Sequence, residues 1–124
     1  MKRFLILTLI CISCAAAKAQ SSDNGDGTFT NPVIWADCPD PDVIRVGDDY
    51  WMTSSSFTCY PGLQILHSTN LIDWEIVGAG LPAIMPGSEY DKPQHGNGVW
   101  APCIRYHDGT YWIFWGDPDR GIFQ

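Results

Sequence analysis

The chain has 124 residues and a formal charge of −7, with 14 acidic against seven basic side chains. That is one small domain's worth of sequence. Its acidity argues against nucleic acid and against anionic membrane surfaces as partners, and suits a neutral substrate.

The first nineteen residues stand apart from the rest. Lys2 and Arg3 form a basic start, an uncharged and largely apolar run covers 4–17, and Ala17-Lys18-Ala19 is a small-x-small cleavage site before Gln20. This pattern is that of a secretory signal peptide over 1–19, and its apolar run is too short to span a bilayer. It implies a secreted or periplasmic protein. Lipoprotein processing at Cys14 ranks second, because Cys11 stands three residues before it where an aliphatic residue is usual. Without Lys2, Arg3 and Lys18, only Arg45, Lys92, Arg105 and Arg120 oppose the 14 acidic residues, for a charge of −10. Cys38, Cys59 and Cys103 remain after cleavage. They form no disulfide framework and no metal-ligand pattern, so each is expected to be a small buried apolar side chain, with one disulfide left open.

Residues 20–30 are rich in Ser, Asp, Asn and Gly, and read as a mobile leader. Next comes Ala36-Asp37-Cys38-Pro39-Asp40-Pro41-Asp42, with three carboxylates close together. Asp40 follows one proline and precedes another, which predicts an extended backbone with little freedom. A carboxylate on a stiff lead-in to a strand suits a general base. Turn punctuation with a solvated charge is the other reading of the same residues.

Strands are predicted at 43–46, 50–55, 63–67 and 74–77. Turns fall at Gly47-Asp48-Asp49, at Pro61-Gly62 and over 68–73. Residues 78–98 read as a linker rich in Gly and Pro. The pattern then returns with strands at 103–106 and 111–115, a turn at 107–110, and a reversal over 116–121 into Ile122-Phe123. Ile44-Arg45 recurs as Ile104-Arg105 at an offset of 60, and Tyr50-Trp51 as Tyr111-Trp112 at 61. A four-strand unit of this period predicts an all-β chain of β-propeller blades, about one and a half of them here. The sequence therefore reads as the N-terminal part of a longer protein.

With that repeat in place, the residues acquire a likeness. Asn31-Pro32-Val33 with the stretch from Pro39 to Tyr50 resembles the opening of a glycoside hydrolase family 43 domain. Four further stretches agree in order: Ser56-Phe57 with Pro61-Gly62; His67-Ser68 with Leu71 and Trp74; Trp100-Ala101-Pro102; and Tyr111-Trp112-Ile113-Phe114 with Asp117. The likeness covers 31–124, which it makes the truncated start of a propeller domain, five-bladed in the intact parent.

The resemblance implies inverting hydrolysis of xylose- or arabinose-containing glycans by three carboxyl groups around a central funnel. The general base of the family falls at Asp40. The orienting Asp and the Glu acid are expected beyond Gln124, since Glu75 sits in an outer strand and Glu89 in the linker. The 124 residues alone are accordingly expected to be inactive. Asp117 is either a funnel residue or a turn residue before Pro118. Phe57, Tyr60 and Trp100 either stack on sugar or pack. Asp37 and Asp42 read as turn caps and supporting charges, and Asp119 as a turn residue. Trp74, Trp112 and Trp115 read as core. His67, His95 and His107 show no ligand spacing. No cofactor is expected, and a calcium ion on the propeller axis is left open. A non-catalytic glycan-binding propeller is the rival function; the presence of Asp40 favours the enzyme.

One expectation is testable without a structure. Mass spectrometry of the exported protein should place its N-terminus near Gln20. A lipid on Cys14, or a retained Met1, would overturn the signal-peptide reading.

Overall fold

The computed structural model describes residues 21–83, 92 and 95–123. The signal peptide, Cys14 and Glu89, and residues 84–91 and 93–94 of the predicted linker lie outside them. The described elements are seven strands: β1 (Asp42–Val46), β2 (Asp49–Thr53), β3 (Gly62–Ser68), β4 (Glu75–Leu81), β5 (Trp100–His107), β6 (Thr110–Asp117) and β7 (Gly121–Phe123). They form two antiparallel meanders, β1-β2-β3-β4 and β5-β6-β7. The chain is thus all-β, as the alternating pattern predicts. Among the described residues no helix is long and apolar enough to cross a membrane.

The hairpins follow local chemistry. Asp108 and Gly109 both take positive φ, 47° and 81°, as a two-residue type I′ turn requires, and this sets His107 opposite Thr110. In the first sheet the equivalent turn sets Val46 opposite Asp49. The ladders also correct the register of the repeat. Ile44 lies opposite Trp51, and Arg105 opposite Trp112. The structural counterpart of Ile44 is therefore Arg105, an offset of 61, and the Ile104-Arg105 match is one residue out of phase. A slip of one would send every side chain to the opposite face, so the ladder decides the matter.

β4 corrects the linker boundary. It does not stop at Val77; Gly78 pairs with Ile65, Ala79 with Gln64, and Leu81 with Gly62. The small residues that resemble a linker have a packing cause. A Cβ on Gly80 would stand 3.2 Å from Ile113 Cδ1. At Gly80 the outer strand carries a glycine because the second sheet approaches it closely.

The core lies between the sheets. Leu63, Val99 and Trp115 are buried together, with Leu81 and Ile113 packed against them. Met52 and Leu66 are buried in the first sheet, and Ile104 in the second. Trp115 is core as expected, whereas Trp112 remains 38% exposed and Trp74 is half-buried, its Nε1 donating to Leu71 O. Trp51 bridges the sheets, with its ring centroid 5.4 Å from that of Tyr111 and 4.7 Å from that of His67. Burial pushes the Tyr111 phenol up, and neighbouring Tyr106 and Asp49 push it the same way.

Two further expectations change. Residues 21–30, read as a mobile leader, hold a small hairpin bridged between Asp23 and Phe29. Asp23 Oδ1 accepts the Gly25 N–H, and Asp26 Oδ1 accepts the Thr28 N–H, so the Asp/Gly composition encodes Asx turns. Ser21 Oγ ties this hairpin to Asp73 at 2.6 Å. Second, none of the three described cysteines is buried: Cys38 and Cys103 are half-buried, Cys59 is exposed, and all are free.

A polar clamp joins the inner strands of the two sheets. Asp42 Oδ2 accepts the Ile104 N–H at 2.7 Å and the Arg105 guanidinium at 2.6 Å. Arg105 is 57% exposed, so that ion pair contributes little. Ile104 is buried, and its N–H has more to lose. Asp42→Ala should lower the unfolding free energy by about 1–3 kcal/mol, read as an earlier denaturant midpoint at unchanged slope. Asp42→Asn keeps an acceptor and should cost less. An Asp42→Ala midpoint equal to that of the parent would show that the clamp is ornamental.

Candidate active site

The expected general base sits where the chain enters the inner strand of the first sheet. Asp40 is exposed, one residue ahead of Pro41 and two ahead of β1. Its backbone corrects the sequence expectation. It is not extended; its φ is +49°. A following proline disfavours helical conformations, and a left-handed residue other than glycine costs about 1–2 kcal/mol. Hydrogen bonds across the site hold it there. Ser55 Oγ donates to Asp40 Oδ2 at 2.7 Å, and the Ser55 N–H donates to Pro39 O at 2.9 Å. Asp is among the few residues that tolerate this region.

Ser55 is itself 5% exposed. It follows the end of β2, in a serine run from Ser54 to Ser56. Its Oγ accepts the Ala101 N–H at 2.8 Å, reaching from one sheet to the other. Ala101 repeats the conformation of Asp40: φ is +38° and a proline follows. The Ser56 hydroxyl accepts the Leu63 N–H and so holds the loop back against β3.

Three other expected residues gather around this point. Phe57 and Val99 exchange two backbone hydrogen bonds, at 3.1 and 3.0 Å. The contact is so close that a Cβ on Gly98 would collide with Phe57 O, which explains the glycine there. Phe57 has a φ of +51° and is half-buried. Trp100, directly after Val99, is 42% exposed. Its Nε1 donates to Gly96 O, and its backbone pairs with Gly116. Asp117 follows Gly116 and is buried, with 4% exposure. Its Oδ1 accepts the Asp119 N–H at 2.8 Å, so it caps the turn into β7. Asp119 in turn accepts from the Asn97 amide.

Tyr60 is 42% exposed beside the turn into β3, and it does not line the cavity next to Ser55. That cavity, about 210 Å³, is lined by Asp37, Pro39, Ser55, Phe57, Cys59 and Gln64, with the neighbouring serines. A larger groove of about 390 Å³ runs between Leu63, Leu81, Tyr111 and Trp112. It holds no carboxylate and belongs to the packing of the sheets. Asp42, read as a supporting charge, clamps the second sheet as described above. Ser55 was missed from sequence, because its burial and its bonds to Asp40 and Ala101 appear only in the fold.

Of the histidines, His67 Nε2 lies 2.7 Å from Asp49 Oδ1 and His107 Nε2 lies 3.2 Å from Asp108 Oδ2. Among the described residues no group of three or more His, Cys, Asp or Glu side chains is placed to hold a metal ion.

The comparisons with known proteins agree with this architecture. The profile of glycosyl hydrolases family 43 matches residues 29–124. The chain is 41% identical to a beta-xylosidase of Bacillus subtilis over 89 residues, covering 72% of the chain and 16% of that protein. It is 34% identical to a non-reducing end alpha-L-arabinofuranosidase of Bacteroides ovatus over 127 aligned positions, covering 99% of the chain and 23% of that protein. A crystal structure of a family 43 protein from Bacillus licheniformis superposes with a TM-score of 0.63 at 40% identity, covering 72% of the chain and 17% of that structure. The chain therefore spans a sixth to a quarter of the length of these relatives. Its two meanders are successive blades of a propeller, and the chain belongs to glycoside hydrolase family 43.

Proposed function

We propose that the whole protein to which this chain contributes is an exported glycoside hydrolase that cleaves β-xylosidic or α-L-arabinofuranosidic bonds with inversion, and that Asp40 is its general base. The observation that carries the reading is the Asp40 carboxylate. It is exposed to water, yet one oxygen is fixed by the buried Ser55 hydroxyl. The names of the relatives, a beta-xylosidase and an alpha-L-arabinofuranosidase, supply the substrate class.

Inversion needs a second carboxyl about 6.5–9.5 Å from the base, on the far side of the scissile bond, to protonate the leaving group. The base takes a proton from a water that attacks the anomeric carbon from the opposite face. Glu75 is the only glutamate among the described residues. It pairs with His67 on the outer strand β4, away from the inner strand that Asp40 leads. The acid and the orienting Asp are therefore assigned to the remainder of the whole protein. Trp100 and Phe57 stand beside Ser55 and Ala101 and are suited to stack on the apolar face of a pentose. A calcium ion has no proposed role in the chemistry carried by these residues.

The test is Asp40→Asn in the whole protein, assayed on activated aryl β-xylosides and aryl α-L-arabinofuranosides. kcat should fall by roughly 10²–10⁴-fold or more, with KM and the thermal midpoint little changed. A variant that keeps most of its turnover would overturn the assignment of the base. A wild-type protein that binds pentose glycans without cleaving them would instead support the glycan-binding reading.

A further inference from the structure

Serine has one hydroxyl proton and two lone pairs. At Ser55 the positions of the neighbours decide how these are used. The Ala101 N–H is a donor only, so the contact at 2.8 Å must consume a lone pair of Ser55 Oγ. An ionised carboxylate is an acceptor only, so the 2.7 Å contact to Asp40 Oδ2 must take the hydroxyl proton. The rotor is thereby locked in one direction. The backbone is locked as well, because the Ser55 N–H donates to Pro39 O, on the residue preceding Asp40. Ser55 is 5% exposed, so water competes little for these bonds. Asp40 Oδ1 takes no hydrogen bond from the described residues and lies on an exposed residue.

We propose that Ser55 is a positioning residue for the general base. It pins Oδ2 and turns Oδ1 toward the space where the attacking water must sit. The Ala101 N–H aims the hydroxyl, so the base of the first sheet takes its orientation from the second. The proposal rests on the reading of Asp40 as the base. It requires that Ser55 act through Asp40 and have no separate effect on substrate binding.

The test is a double-mutant cycle in the whole protein, read on an aryl pentoside. Ser55→Ala should lower kcat by about 10–100-fold, the loss expected from a slightly misplaced catalytic group, with KM changed less than about twofold. Ser55→Cys is nearly isosteric but a weak donor, and it should show the same loss with the thermal midpoint preserved. Ser55→Thr keeps the hydroxyl and should restore part of the rate. In an Asp40→Asn background, Ser55→Ala should cost almost nothing more. Equal losses in both backgrounds, or full turnover by Ser55→Cys, would overturn the proposal.

A second readout does not depend on turnover. In protein labelled with ¹³C at the aspartate carboxyl carbons, the Asp40 resonance is assigned as the one lost in Asp40→Asn. It should move in Ser55→Ala and Ser55→Cys and stay near its place in Ser55→Thr. A resonance indifferent to all three would refute the pinning of Oδ2, even in a protein that cleaves nothing. A wild-type protein without turnover but with the expected resonance shifts would overturn the enzymatic reading alone.

Discussion

Two carboxylates, two residues apart on either side of Pro41, connect the first sheet to the second. Asp42 does so directly, by accepting the Ile104 N–H and the Arg105 guanidinium. Asp40 does so at one remove, through the Ser55 hydroxyl and the Ala101 N–H. The rest of the arrangement depends on this double tie. A propeller blade has no face it can bury alone, and here the cluster shared between the sheets holds three buried hydrophobic side chains among the described residues. Apolar packing sets the sheets against each other but does not fix their registration. Directional bonds at the start of the inner strands supply it, and the candidate base is one of the groups that they register.

The two left-handed residues ahead of proline belong to the same device. Asp40 and Ala101 correspond in backbone conformation and in the proline that follows each, 61 residues apart. Each costs about 1–3 kcal/mol of backbone strain. A hydrogen bond to a charged group returns about 1.5–3 kcal/mol, so the Ser55 contact is of the size needed to offset the strain at Asp40. At Ala101 the offsetting bond runs from the main chain to the same hydroxyl. One serine thus relieves two strained positions, one in each sheet. This explains why the geometry repeats while the side chain does not.

Much of the fold was legible from local pattern. Alternation, the Asp-Gly turn and paired aromatic returns marked all seven strands, and the repeat pointed to blades. The failures have a common cause. β4 was cut short because Gly78 and Gly80 look like a linker, while the constraint on Gly80 is Ile113, more than thirty residues away. The repeat was read one residue out because Ile44-Arg45 and Ile104-Arg105 match as letters, while the side-chain period of a strand is set by its partner. Asp40 was expected to be extended because its neighbours are prolines, and its tie to Ser55 overrides that preference. Asp40 was singled out as the candidate base by likeness more than by physics. Ser55 and the Asp42 clamp were not legible, because each is defined by a contact with a distant residue that sequence spacing does not reveal.

The exposure of the groups around Asp40 bears on how such a site works. A general base for hydrolysis has to meet water, so it cannot gain rigidity from burial as a core residue does. The chain separates the two requirements. Asp40 stays exposed while the atom that holds it, Ser55 Oγ, lies on a buried residue. The same division recurs at Trp100, whose side chain is 42% exposed although its neighbour Val99 is fully buried and doubly bonded to Phe57. In both places the outward group takes its rigidity from an adjacent or hydrogen-bonded residue in the packed layer between the sheets. The candidate side chains thus stand at the rim while their inner partners are under packing constraint. On this argument, the sites where substitution is least tolerated lie one layer below the chemistry.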